Sequence, residues 1–162
     1  MTFETIYKTY YRKIFRLCMG YVNDHEWARD ITQEAFITVW EKLDQFRNEA
    51  SIGTWIFRIA SNQCLRQIEK QKKMPRSEIP FEIEDQATSN SETDGKIKLL
   101  YQCISELPET DRIIISLELE DVKQAEIAGI VGLSETNIRV RVHRIKEKLS
   151  QKFSQYERSD RF

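Results

Sequence analysis

Apolar residues recur at three- and four-residue intervals through most of the chain. Nothing reads as a series of alternating strands joined by turns, so the pattern predicts an all-helical chain. Residues 2–22 place Phe3, Ile6, Tyr10, Ile14, Leu17 and Tyr21 on one stripe that ends near Gly20 and the Asn23-Asp24 pair. A second helix is expected from about Glu26 to Leu43, burying Ile31, Ala35, Phe36, Val39 and Leu43. After a polar loop from Gln45 to Gly53, a third is expected from about Thr54 to Lys73, with Ile56, Phe57, Ala60, Cys64 and Ile68 inward. Residues 75–95 contain two prolines and six acids and carry no stripe, which reads as an extended linker. Helices resume from about Lys96 to Glu106 and, beyond Leu107-Pro108, from Glu109 to Glu120. The fold class is therefore all-α: two small helical domains, 1–74 and 96–162, joined by an acidic flexible linker over 75–95.

The last two helices lie in KQAEIAGIVGLSETNIRVRVHRIKEKL, residues 123–149, which has the spacing of a helix-turn-helix. Ala128 is small enough for two helices to cross closely, Gly132 can take the left-handed conformation that ends the first, and Ser134 can cap the second. On the second helix Ile138, Val142, Ile145 and Leu149 form the inward stripe, leaving Val140, His143 and Arg144 outward with Arg139 and Arg141 beside them. Residues 137–152 carry six basic side chains, Arg139, Arg141, Arg144, Lys146, Lys148 and Lys152, against the single acid Glu147. Such a charge excess on a helix of this motif points to phosphate binding.

The formal net charge of −1 argues against a generic polyanion binder, but it averages over strong segregation. Residues 75–95 hold 1 basic and 6 acidic side chains, and 106–126 hold seven acids against Arg112 and Lys123. The last domain thus has a negative half and a positive half, a polarity that can orient a protein on DNA. Cys18, Cys64 and Cys103 are odd in number, far apart and set among apolar residues, as in a reduced cytosolic protein, and no zinc spacing is present. The N-terminus lacks the apolar run of a signal peptide and nothing approaches a membrane span, so a cytoplasmic location is expected. No cofactor is implied.

Two surfaces of the first domain stand out. On the second helix Asp30, Gln33, Glu34, Ile37 and Glu41 share the face opposite the core, an acidic stripe around one apolar group that suits a charge-complementary protein contact. On the third, Trp55, Ile59, Asn62 and Arg66 form an outward line flanked by Arg58 and Lys70: an aromatic for stacking, an amide for hydrogen bonds and cations for phosphates. The loop Phe46-Arg47-Asn48-Glu49-Ala50-Ser51-Ile52-Gly53 supplies short polar groups that could surround an unstacked base. Read this way, the chain is a helix-turn-helix DNA-binding protein, and a regulator with a helical dimerisation or sensing domain is one form it could take. Catalysis is a poor fit: only His25 and His143 are present, with no metal spacing, phosphate-cradling glycine loop or nucleophile elbow.

Four segments, DITQEAFITVWEKLDQF at 30–46, FRNEASIGTWIFRIASNQCLRQIEKQKK at 46–73, LPETDRIIISLELED at 107–121 and the helix-turn-helix, make nearly the whole chain resemble bacterial sigma factors of the extracytoplasmic function type, in the sigma-70 family. The resemblance implies an alternative sigma factor with a region 2-like first domain and a region 4-like last domain. It assigns the β′ clamp helices of core RNA polymerase to Asp30, Gln33, Glu34 and Ile37, with Glu41 on the same face. It assigns recognition and melting of the minus-10 element to Arg47, Asn48, Glu49, Ala50 and Ser51 with Trp55, Arg58, Asn62 and Arg66. The minus-35 duplex falls to Ser134, Thr136, Asn137, Arg139, Val140, Arg141, His143, Arg144 and Lys148, in a domain that also touches the β flap. An anti-sigma factor is a further implied partner, and a small-molecule substrate is not. Glu135-Thr136-Asn137-Ile138 departs from the E-G-T-V common at this point in relatives, which bears on promoter sequence rather than role. No further domain is expected beyond about Phe153, and the tail SQYERSDRF is expected to fray.

Overall fold

A computed structural model of the chain describes residues 2–73 and 92–159, with side chains for all of these except 68–73, 92 and 159. The described residues form seven α-helices and one 3-10 turn, with no strand among them. Helix α1, Phe3–Val22, begins where the Thr5 N–H donates to Thr2 Oγ1 at 3.3 Å. It ends at Asn23, whose left-handed backbone (φ 50°) lets its N–H reach the Met19 carbonyl at 2.8 Å. The helix thus ends at the Asn23-Asp24 pair as expected, with Gly20 buried in its last turn. Helix α2, His25–Lys42, is capped by Asp24, which accepts from the Trp27 N–H at 2.9 Å, and runs into the 3-10 turn Leu43–Gln45. Leu43 lies in that turn and is half-buried rather than in the core.

Helix α3, Ile52–Lys73, starts before the expected Thr54 because Ser51 caps it, its Oγ accepting from the Thr54 N–H at 3.2 Å. Helix α4, Glu92–Ser105, begins inside the stretch expected as linker and continues through Gly95; the remainder of that stretch, 75–91, lies outside the described residues. Helix α5, Glu109–Leu119, follows Pro108, and α6, Gln124–Val131, precedes α7, Glu135–Ser159. The tail expected to fray is helical to Ser159, because the Tyr156 hydroxyl donates to Glu106 Oε1 at 2.6 Å and Lys152 Nζ lies 3.0 Å from Glu106 Oε2.

Helices α1 to α3 form one bundle around Ile14, Leu17, Ile31, Val39 and Ile56, all fully buried. Helices α4 to α7 form another around Ile104, Ile113, Ile114, Leu117, Ile127 and Ile138. Each such side chain contributes about 1.5–3 kcal/mol of hydrophobic stabilisation. Cys18, Cys64 and Cys103 are free and buried. The Cys64 thiol lies 3.8 Å from Cys18, and that contact, reinforced by burial, holds it well above its usual pKa and away from thiolate chemistry.

The two bundles meet along α1 and α5. A side chain at Gly20 would overlap Ser116 Oγ and place its Cβ 3.2 Å from Ser116 Cβ, so glycine is what lets these helices close. Beside this contact Arg16 forks onto Glu120, Nε to Oε1 at 2.5 Å and Nη2 to Oε2 at 2.8 Å, with the glutamate side chain only 7% exposed. The hydrogen bond to Glu120 raises the Arg16 pKa still further. Arg112 completes the seam by placing its guanidinium 4.9 Å from the centre of the Tyr21 ring. Helix α3 also touches α6, where Arg58 Nη2 lies 3.6 Å from the position a Cβ on Gly129 would take.

Candidate nucleic-acid and partner interfaces

The turn between α6 and α7 has the geometry its residues imply. Gly132 is left-handed (φ 78°), with its N–H on the Ala128 carbonyl at 2.9 Å, and Ser134 Oγ accepts the Asn137 N–H at 3.1 Å. Ile138, Val142, Ile145 and Leu149 are buried, which turns the opposite face of α7 outward. A groove of about 760 Å³ runs along that face, lined by Ser134, Thr136, Asn137, Val140, Arg141, Arg144 and Lys148 together with Asp111 of α5. Val140 is 43% exposed, an apolar group standing among cations. Arg139 and His143 are exposed but do not line the groove, and His143 Nε2 lies 3.5 Å from Glu147.

The six basic side chains of this helix are not six equivalent phosphate ligands. Arg141 Nη1 lies 3.1 Å from Asp111, Lys146 Nζ 3.4 Å from Glu118, and Lys152 3.0 Å from Glu106. The acidic half of the domain therefore neutralises part of the basic half within the fold. Ser134 likewise spends its oxygen as a cap as well as facing the groove.

On the first bundle, the loop before α3 encloses a second cavity of about 780 Å³, bringing together Phe46, Asn48, Glu49, Ala50 and Ser51 with Leu43, Asp44 and Ile52. Asn48 sits at φ 57°, a left-handed position that asparagine tolerates better than most residues and that bends the loop around the cavity. Arg47 is exposed and does not line it. Trp55 is half-buried, packs on the core and tilts against Phe46 with ring centres 5.0 Å apart. Arg58, Asn62 and Arg66 are exposed along α3, spaced four residues apart and away from the cavity lining.

The face of α2 is fully presented. Asp30, Gln33, Glu34 and Glu41 are exposed, and Ile37 is 57% exposed. Glu34 accepts from Gln67 Nε2 of α3 at 2.9 Å, which steadies its carboxylate. Sequence reasoning missed the neighbour of this stripe. Trp40, 64% exposed, forms with Phe3, Tyr7, Gln33, Phe36 and Ile37 an apolar groove of about 390 Å³, its ring standing edge-on to Phe3 at 5.1 Å. The signal was present: Gln33, Ile37 and Trp40 stand at i, i+4 and i+7, one stripe of the helix.

Comparisons with known proteins converge on one family. Residues 6–74 match Sigma-70 region 2 and residues 97–149 match Sigma-70, region 4. The chain is 29% identical to the ECF RNA polymerase sigma-E factor of Escherichia coli (strain K12) over 167 residues, covering 93% of this chain and 85% of that protein. It is 28% identical to the RNA polymerase sigma-H factor of Pseudomonas aeruginosa over 159 residues, covering 90% of this chain and 82% of the other. In fold it is similar to the sigma factor RpoE of Bartonella quintana, solved with the anti-sigma factor NepR, with a TM-score of 0.74 at 17% identity over 94% of this chain and 96% of that one. It is similar also to CnrH, solved with the cytosolic domain of CnrY, with a TM-score of 0.68 at 19% identity over 92% of this chain and 85% of the other. With both regions matched in order and most of its length covered, the chain belongs to the sigma-70 family of RNA polymerase sigma factors.

Proposed function

We propose that this cytoplasmic chain, which has no catalytic chemistry of its own, directs core RNA polymerase to promoters through three faces, each with a distinct task. The α2 stripe with the Trp40 groove binds polymerase, its apolar centre supplying burial and Asp30, Gln33, Glu34 and Glu41 supplying register. The loop cavity holds an unpaired minus-10 base, while Arg58, Asn62 and Arg66 follow the strand. The α7 groove reads the minus-35 duplex, where Val140 meets a thymine methyl and Arg144 a guanine edge. Melting costs roughly 1.4 kcal/mol per stacked step, and capture of bases offsets about 1–3 kcal/mol each. Tethering by polymerase makes two modest DNA contacts act together.

The observation that carries this reading is the uncovered pair Ile37 and Trp40 beside Gln33 and Glu34, on the same chain as a helix-turn-helix with an open groove. A protein of the anti-sigma class is the natural competitor for such a face. The test is reconstitution with core polymerase and run-off transcription from promoters mapped after overexpression. Stoichiometric binding and new start sites are expected. A stable homodimer on a palindromic site with no affinity for polymerase would replace this reading with that of a conventional helix-turn-helix regulator.

A further inference from the structure

Among the residues lining the α7 groove there is one carboxylate, Asp111, from the first turn of α5. An acid facing DNA repels phosphate and lowers affinity for every sequence alike, so its presence calls for a compensating role. Its contacts supply one. Asp111 Oδ1 accepts from Arg141 Nη1 at 3.1 Å, and Asn137 Oδ1 accepts from Arg141 Nε at 2.7 Å. A guanidinium is planar with five donors in fixed directions, so two acceptors on different nitrogens set both its position and its plane and leave three N–H groups for a ligand. Asn137 is itself anchored, its backbone N–H on Ser134 Oγ at 3.1 Å. The cap of α7, the arginine and α5 thus form one hydrogen-bonded chain across the floor of the groove. Arg144 and Lys148 line the same groove without such a two-point tether in view.

We propose that Asp111 and Asn137 are positioning residues that make Arg141 a sequence-reading group rather than a mobile phosphate ligand, and that Asp111 also suppresses indiscriminate DNA affinity. This deepens the minus-35 reading proposed above and rests on it. Two-point anchoring spends the entropy of a long side chain during folding, so less is lost when the correct base pair arrives, while a wrong one meets a cation that cannot swing to a phosphate. Selectivity rises and general affinity falls together.

The test uses polymerase reconstituted with the full chain, selecting promoters from a library randomised only across the minus-35 segment, with capture measured over a range of salt. Asp111→Ala is expected to cut selectivity about tenfold, the scale of one bidentate base contact. The same change raises capture of random sequences and steepens the log-log salt slope by about 0.9, because one more cation becomes available to phosphate. Asp111→Asn keeps the Oδ1 acceptor without the charge, so it should raise random capture yet retain selectivity. Asn137→Ala should lose selectivity with no gain in random capture. Equal loss of selected and random capture in Asp111→Ala, with a lower melting temperature, would mean that Asp111 only braces the fold. Unchanged selectivity in Asp111→Ala, or no rescue by Asp111→Asn, also overturns the positioning role. A wild-type holoenzyme with no minus-35 preference would instead overturn the minus-35 reading itself.

Discussion

Two apolar surfaces of the first bundle meet opposite fates. On α1, Gly20 and Tyr21 are covered by α5 of the other bundle, with Arg16 and Glu120 matched beside them. On α2, Ile37 and Trp40 are left open beside polar groups, of which Glu34 accepts from Gln67 and Thr38 from Gln63. The first surface has what a close contact within the chain needs, a small residue that admits close approach and an ion pair whose acid is nearly enclosed while its arginine is half exposed. The second is a few large groups in a polar rim, the layout of a surface that is covered and uncovered. The chain thus separates the contact it makes with itself from the contact proposed for polymerase.

The largest expected effect breaks the open surface. Trp40→Ala combined with Ile37→Asp should cost at least about 2–4 kcal/mol of polymerase affinity, the range of an aromatic hot spot, without lowering the melting temperature. Competitive binding to core polymerase measures it, and loss of stability in the free chain would show these groups to be structural. Next in size, Gly20→Leu should force the seam apart at about 1–3 kcal/mol, with helical content retained and the radius of gyration in scattering larger than the ~15 Å expected of a compact chain of this length. Ser116→Ala should partly relieve Gly20→Ala but not Gly20→Leu, because it removes only the hydroxyl that the new Cβ would overlap; additive losses would place the strain elsewhere.

Arg16→Ala should act more weakly on the same seam, at about 1 kcal/mol, since the arginine is half exposed and water screens part of the pair. Denaturation compared with Glu120→Gln and the double variant measures the coupling, and a zero coupling term would confine the seam's strength to its apolar part. Smallest of all is the anchor of α7. The Tyr156 hydroxyl, then Lys152, hold the Glu106 carboxyl below its ordinary pKa. Their stabilisation is therefore complete above the usual glutamate range and fades as pH falls through the lowered value. Tyr156→Phe should flatten that acid limb slightly in a pH series of melting temperatures, and an unchanged limb would remove Glu106 as its source.

What could be read in advance follows the range of the forces involved. The inward stripe of α7, the left-handed Gly132 and the Ser134 cap are local, each settled within a few residues, and all three stand as the residues imply. The end of α1 at Asn23 was legible too, but the packing role of Gly20 was not, because its reason is a serine 96 positions away. The Arg16 and Glu120 pair has no local pattern at all, being 104 residues apart. Trp40 was overlooked because the buried stripe of α2 accounts for its apolar residues without it, and the packing of Trp55 on Phe46 had no local sign because it is made across the loop. The cation count on α7 was legible, but its partial neutralisation by Asp111, Glu118 and Glu106 belongs to packing.

The seam acquires a further meaning once lengths are compared. Promoter elements centred near positions −35 and −10 lie about 25 base pairs apart, or ~85 Å along straight duplex at ~3.4 Å per pair. A closed chain with a radius of gyration of about 15 Å is only ~40 Å across. On the proposed reading, the Gly20–Ser116 contact is therefore a ruler set too short: while it holds, the groove of α7 and the loop before α3 could not sit on both elements of a straight promoter at once. On that reading the polymerase surface would have to part the seam, against the close helix contact at Gly20 and Ser116 first and the half-exposed Arg16 fork second.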